Sequence, residues 1–283
     1  MTGADVAASG KWNDLAVRTA SAVVLAPIVI VLAWAGGWWF AALVAVMGVL
    51  LASEWVRLVY GPENLLQLSL YCVAVVAGVL FMQLGQAWPA WGAIALCWVI
   101  SIASGSLKGN ASRASWIGVP YVTLPVMALA IVRSDAAYGL SALIWLLLLV
   151  WSADSIAYVV GRLVGGPKLA PKISPGKTWS GLGGAILGGA LASLAVGYAL
   201  EVSSLAILAL LGGVLAVVAQ TGDLFESHLK RRAGVKDSGK VIPGHGGIFD
   251  RVDGLVAVAI AALIIGVTRS EGTANIAAQL LNW

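Results

Sequence analysis

Five carboxylates stand where an apolar chain should carry none. Asp154 follows the run Leu146-Leu147-Leu148-Leu149, Asp223 and Glu226 close a second apolar run, and Asp250 and Asp253 open a third. An ionised side chain at the bilayer centre costs about 2.5–3.5 kcal/mol, so such a residue faces a cavity or a partner. Asp154 has no basic residue within one helical turn. The other four form two (i, i+3) pairs, and that spacing puts each pair on one helical face. Like charges so close repel: one acid keeps a proton, or a cation sits between them. Oxygen ligands without a His or Cys cluster suit Mg²⁺ or Mn²⁺ rather than zinc. The competing reading is a latch, in which the acids pair with nearby Lys and Arg for structure alone.

The basic residues bear on what such a cation is for. Lys168, Lys172, Lys177, Lys230, Arg231, Arg232, Lys236 and Lys240 crowd the same rim. Part of this charge serves anionic headgroups. A ring of lysines beside a carboxylate-held Mg²⁺ also suits a polyphosphate, because Mg²⁺ binds through one or two carboxylates plus phosphate oxygens. No Walker sequence or dinucleotide glycine fingerprint is present. The segment Lys172-Ile173-Ser174-Pro175-Gly176-Lys177-Thr178 lacks the P-loop's upstream glycines and reads as a different nucleotide-contacting turn. Gly244, Gly246 and Gly247 allow close backbone approach, and a helix starting near Asp250 offers N–H groups to phosphate oxygens. His245 stays open between binding a phosphate and fixing the turn, whereas His228 reads as structural. Glu54 and Arg57, three apart, read as a helix-surface ion pair.

The elements that position these residues follow from composition. Of 283 residues, 60% are hydrophobic and 11% charged, against roughly a quarter charged in a soluble domain. Thirteen tryptophans and 34 glycines suit a bilayer, where Trp anchors at the interface and Gly permits close helix contact. Soluble, disordered, disulfide-scaffold and nucleic-acid-binding classes are excluded. Cys72 and Cys97 lie in apolar runs as reduced thiols. Crossing a ~30 Å hydrocarbon core takes about 20 helical residues. The spans fall near 17–35, 38–56, 65–84, 88–104, 116–132, 139–161, 181–200, 203–226 and 254–268. The expected fold is therefore all-α, a polytopic integral membrane bundle of about nine transmembrane helices. Residues 17–35 carry signal-peptide features (Lys11, Arg18 and Ala33-Trp34-Ala35), but eight further spans favour an uncleaved helix.

With the N-terminus cytoplasmic, 15 of the 17 Lys and Arg fall on the cytoplasmic side, leaving only Arg133 and Arg269 opposite. That is the positive-inside bias. Two cytoplasmic loops, 162–180 and 227–253, hold ten of the basic residues and are rich in Gly, Pro and Lys. They divide the chain into N-terminal transmembrane helices, 1–140, and a catalytic transmembrane region, 141–283. Gly184, Gly188 and Ala192 recur every four residues and read as a helix-packing face.

The stretch SHLKRRAGVKDSGKVIPGHGGIFDRVD, 227–253, closely resembles the signature of phosphatidate cytidylyltransferases (CDP-diacylglycerol synthases). Asp154 through Gly181 resembles the same family, at Tyr158, Gly161, Lys168-Leu169-Ala170-Pro171-Lys172 and Ser174-Pro175-Gly176-Lys177-Thr178-Trp179. The resemblance implies that CTP and phosphatidic acid condense to CDP-diacylglycerol and pyrophosphate with Mg²⁺, with a monovalent cation such as K⁺ beside it. It implies metal ligation by the acids at Asp223 and Asp250, with Asp253 in the same centre, in a helical bundle that is often a homodimer of the bacterial inner membrane. Catalytic roles are expected for Asp223, Asp250, Asp253, Lys236 and Arg251. Substrate contacts are expected at Asp154, Lys172, Ser174, Lys177, Lys230, Asp237, His245, Gly246 and Gly247. Two positions depart from the family pattern: Ser180 replaces the usual Glu or Gln, and Lys240 a small or amide residue. A CTP-dependent transferase acting on another lipid phosphate or polyprenol is the near alternative, and a cation-coupled transporter the distant one. The start Asp250-x-x-Asp253-Gly254-x-x-Ala257 is shared with CDP-alcohol phosphotransferases, but Val258 stands in place of their Arg and the later aspartates are missing.

Overall fold

A computed structural model describes residues 23, 27–107, 113–239, 241, 246–270 and 275–283. Residues 27–35 are helical. Beyond them come α1 (Gly37–Tyr60), α2 (Leu65–Gln83), α3 (Ala87–Leu107), α4 (Arg113–Ser134) and α5 (Gly139–Leu163). A two-stranded hairpin follows, β1 (Lys168–Ala170) and β2 (Ser174–Thr178). The chain then continues through α6 (Trp179–Ala199), α7 (Leu205–Arg232), α8 (Phe249–Arg269) and the short α9 (Ile276–Leu281). Among the described residues eight helices, α1 to α8, are long and apolar enough to cross a membrane. Of the expected span 17–35, residues 17–22 and 24–26 lie outside the described residues.

The helices pack as two neighbourhoods. α1 to α4 contact one another, as do α5 to α8, and α4 against α8 joins the two. The core is continuous across the join, from Leu51 and Trp55 through Trp145 and Leu149 to Phe249 and Val256. The outer surface is apolar: Trp34, Trp39, Trp88, Trp151, Leu163 and Tyr198 are all exposed. Such a surface suits lipid, where each helix satisfies its own backbone.

Gly188 explains the tight α5–α6 contact. A Cβ there would lie 2.5 Å from the Ser152 carbonyl oxygen, and one at Gly184 2.9 Å from that of Ile156. The small-residue face is thus a packing face, as its spacing indicates.

Two boundaries differ from the hydropathy expectation. α7 runs to Arg232 rather than 226, and α8 begins at Phe249 rather than 254. The connection expected over 227–253 is in fact 233–248. Hydropathy stops at the first charges, but Glu226 and Lys230 form an (i, i+4) pair that continues the helix. At 28 residues and 1.5 Å per residue, α7 is about 42 Å long and projects beyond the hydrocarbon core. It ends in a Schellman motif: Val235 N–H bonds the Lys230 carbonyl, Gly234 N–H that of Arg231, and Gly234 takes φ 70°. In the loop 162–180 the expected fixed turns include the antiparallel hairpin, with Lys168 opposite Thr178 and Ala170 opposite Ser174.

Candidate active site

The ends of α1, α5 and α7 meet the starts of α6 and α8 on one face of the bundle. The hairpin delivers the first basic group. Thr178 caps α6 by accepting from the Gly181 N–H at 3.0 Å. Ser180 Oγ contacts Thr178 Oγ1 at 2.9 Å and donates to the Gly165 carbonyl, tying the helix start to the turn after α5. With β2 held so, Lys177 Nζ lies 2.5 Å from Asp223 Oδ2 and donates to Gln220 Oε1 at 2.8 Å. The Gln220 amide in turn donates to Asp154 Oδ1 at 2.9 Å. Asp154, which lacks a basic neighbour on its own helix, reaches one through this glutamine.

A second lysine serves the other side. Lys230 Nζ is 2.6 Å from Glu226 Oε2 and 2.7 Å from Asp250 Oδ1. Between the lysines, carboxylate oxygens of Asp223, Glu226 and Asp253 lie within 4.8 Å of one another. Glu226 is fully buried; its Oε2 is held in the Lys230 ion pair, while its Oε1 has no hydrogen-bond partner. Asp223, Glu226, Asp250 and Asp253 set four carboxyl groups against the two ammonium groups of Lys177 and Lys230. A buried carboxylate with vacant lone pairs in such a group is what hard-cation coordination requires. The residues fit a divalent metal.

A cavity of about 500 Å³ adjoins this group, lined by Asp154, Tyr158, Arg162, Lys168, Lys177, Gln220 and Asp223 among others. Two carboxylates and three cationic side chains around one cavity suit a phosphate-bearing ligand with a metal.

The sequence profile of the Cytidylyltransferase family matches residues 16–268. The chain belongs to this family. A phosphatidate cytidylyltransferase of Brucella abortus biovar 1 is 36% identical over 269 residues, covering 92% of this chain and 96% of that protein. The Rickettsia felis protein of the same name is 35% identical over 179 residues (57% and 79% of the two chains). That of Haemophilus influenzae is 41% identical over 135 residues, 44% of each. Unlike the motif resemblance, which is confined to the C-terminal half, the family match takes in the N-terminal helices.

In this cytidylyltransferase, Asp250 stands beside the converging acids rather than among them. Its Oδ1 faces Lys230, and its Oδ2 accepts from the Ser238 N–H, the Ser238 hydroxyl and the Gly247 N–H, each at 2.9 Å. The start of α8 does not offer its N–H groups to phosphate as expected. Ile248 N–H donates to Glu54 Oε1 and Phe249 N–H to Glu54 Oε2, both at 2.9 Å. Protein carboxylates already occupy the positive end of the helix. The same holds for the glycines. A Cβ at Gly246 would lie 2.9 Å from Asp250 Oδ2, and one at Gly247 2.4 Å from Glu54 Oε2. They let acidic side chains of this chain approach the backbone closely.

Glu54 and Arg57 do not pair with each other; both turn to the same loop, Arg57 donating to the Ser238 carbonyl. Lys172, Lys236, Asp237, Arg251 and His228 are exposed, and Ser174 is half-buried on β2. His245, Lys240 and Gly244 lie outside the described residues. Two site residues, Gln220 and Glu54, escape sequence reasoning. Gln220 is an amide inside an apolar run, three before Asp223, and its position is the available signal. Glu226 is read as a member of the acid cluster, though not among the expected metal ligands, and it does join Asp223 and Asp253. Glu54 gave no local signal, because its partners are nearly 200 positions away.

Proposed function

We propose that this membrane cytidylyltransferase condenses CTP with phosphatidic acid to give CDP-diacylglycerol and pyrophosphate. The observation that carries the reading is the acid group with two lysines beside a cationic cavity, in a chain aligned along 92% of its length with a phosphatidate cytidylyltransferase. A phosphate oxygen of phosphatidic acid attacks the α-phosphorus of CTP. The new O–P bond replaces the bond from that phosphorus to the β-bridging oxygen, and pyrophosphate leaves with that electron pair. The nucleophile is already an anion, so no Ser-His pair is needed. The obstacle is repulsion between polyanions, and the protein's task is positioning and charge neutralisation.

Asp223 and Asp253, with Glu226 beside them and Asp250 adjoining across Lys230, are the residues that would hold Mg²⁺. Bound there, the ion supplies positive charge to the reacting phosphates and the leaving pyrophosphate. Lys177 neutralises Asp223 and presents its ammonium to the cavity, where Lys168 and Arg162 add charge. Gln220 keeps Asp154 and Lys177 in register. Lys172, Ser174, Lys236 and Arg251 meet phosphates arriving from the aqueous side. The 15-to-2 distribution of Lys and Arg supports a cytoplasmic position for this face in a bacterial inner membrane.

The test is pure protein with radiolabelled CTP, Mg²⁺ and a panel of acceptors: phosphatidic acid, other lipid phosphates and a polyprenyl phosphate. Labelled CDP-diacylglycerol with stoichiometric pyrophosphate is expected. Preferential transfer to a polyprenyl phosphate, or no CTP-dependent product, would replace this reading.

A further inference from the structure

We propose that Glu54 is a positioning residue for the acidic centre, by which the N-terminal half of the chain sets the first turn of α8. The inference rests on the functional reading above for its activity readouts only. Glu54 is 1% exposed, so it touches neither solvent nor substrate. Its carboxylate accepts from Ser238 Oγ at 2.8 Å and from the Ile248 and Phe249 N–H groups at 2.9 Å. These two N–H groups open α8, have no acceptor within the helix, and sit at its positive end. Bonds from N–H groups to an ionised carboxylate are among the stronger ones a helix start can make.

The contact is specific in shape as well as charge. A Cβ at Gly239 would come 2.3 Å from Glu54 Oε1, and one at Gly247 2.5 Å from the same atom. Both strands of the loop press onto this one side chain. Ser238 links it to the site, since its hydroxyl lies 2.8 Å from Glu54 Oε2 and 2.9 Å from Asp250 Oδ2 and has one proton to share between them. Next to Glu54, Trp55 packs its ring 6.1 Å from that of Phe249, and Tyr121 packs 5.0 Å from Phe225 on α7. α1 and α4 therefore grip the two helices that carry the acids. Asp253 lies one turn beyond Phe249, so any rotation of the α8 start moves its oxygens away from Asp223 and Glu226. An apolar residue at position 54 would fill the space but leave the loop without acceptors and α8 without a fixed register.

The test is Glu54→Gln in the full-length protein, with Glu63→Gln, an exposed acid in the α1–α2 turn, as control. Gln keeps the size but turns one acceptor into a donor facing donors. Hydrogen exchange should quicken at least tenfold over 238–249 while α2, α3 and α6 keep wild-type protection. The half-saturating Mg²⁺ concentration should rise at least fivefold and kcat fall at least tenfold, with KM for CTP within threefold. Unchanged exchange over 238–249 overturns the proposal, and so does wild-type Mg²⁺ dependence in a protein that exchanges faster everywhere. If Glu54→Gln does not fold, Ser238→Ala removes only the shared hydroxyl and must produce the same local exchange and Mg²⁺ shift; normal values there overturn the proposal equally. Exchange needs no substrate, so a wild-type protein inactive on phosphatidic acid would defeat the functional reading and leave this comparison standing.

Discussion

Replacing Lys230 by Met separates a metal-holding acid group from a structural latch. Lys230 is 13% exposed at its side chain and touches both Glu226 and Asp250, at 2.6 and 2.7 Å. Both oxygens contact one nitrogen, so the sum of the two contacts, 5.3 Å, is the widest separation they can have. At an effective dielectric of about 20, two like charges that far apart repel by roughly 3 kcal/mol. Removing one partner of a buried ion pair typically costs about 3–5 kcal/mol. The two estimates describe the same uncompensated charge and are not summed. Lys230→Met should therefore lose about 3 kcal/mol of stability relative to wild type in the same detergent, read by thermal unfolding at neutral pH without added divalent ion. Mg²⁺ should then stabilise the variant more than it does wild type, because a ligand that binds only the folded state stabilises by RT ln(1 + [L]/Kd) and here replaces the missing charge. Adding Glu226→Gln should recover at least half the loss, since it removes one of the two repelling charges. The reasoning is refuted if Lys230→Met is as stable as wild type. It is equally refuted if the double variant is less stable than the single.

Three further outcomes are expected. Asp223→Asn and Asp253→Asn should each lower CTP-dependent product formation at least a hundredfold across a Mg²⁺ titration, and the double variant should be little worse than either, since residues acting as a unit are non-additive; well-folded Asp223→Asn with near-normal turnover would return that residue to the latch. Ser180→Ala should retain turnover within a few-fold and lose about 1 kcal/mol, the worth of one hydrogen bond to the Gly165 carbonyl; a hundredfold loss in folded protein would make the hydroxyl catalytic. Gly188→Ala, whose Cβ would meet the Ser152 carbonyl oxygen at 2.5 Å, should cost about 1–3 kcal/mol through overpacking, whereas Gly183→Ala, with nothing within 4 Å, should not lower the unfolding temperature; equal behaviour of the two would discount the packing face.

Composition and spacing along the chain establish the solvent and the ingredients. Apolar runs of span length dictate helices, because a bilayer satisfies no exposed backbone group. The (i, i+3) spacing of Asp223 and Glu226 already put both on one side of α7, and they do converge. The packing face at Gly184 and Gly188 was likewise legible, since helical period and side-chain size are local properties. Which charge meets which depends on how the helices pack. Lys177 reaches Asp223 and, through Gln220, Asp154, because the hairpin leads into α6 and brings the Lys177 side chain to α7. Asp250 and Asp253 share a helical turn, yet one binds a loop and a lysine while the other joins the acid group. Glu54 shows the limit most sharply: spacing paired it with Arg57 on its own helix, and the fold gave it the start of α8 instead. Periodicity reports the face a side chain occupies, which depends on its neighbours in the chain. The partner on that face depends on how helices far apart in sequence are packed, and ion pairs and caps form only once that packing brings their atoms within hydrogen-bond reach.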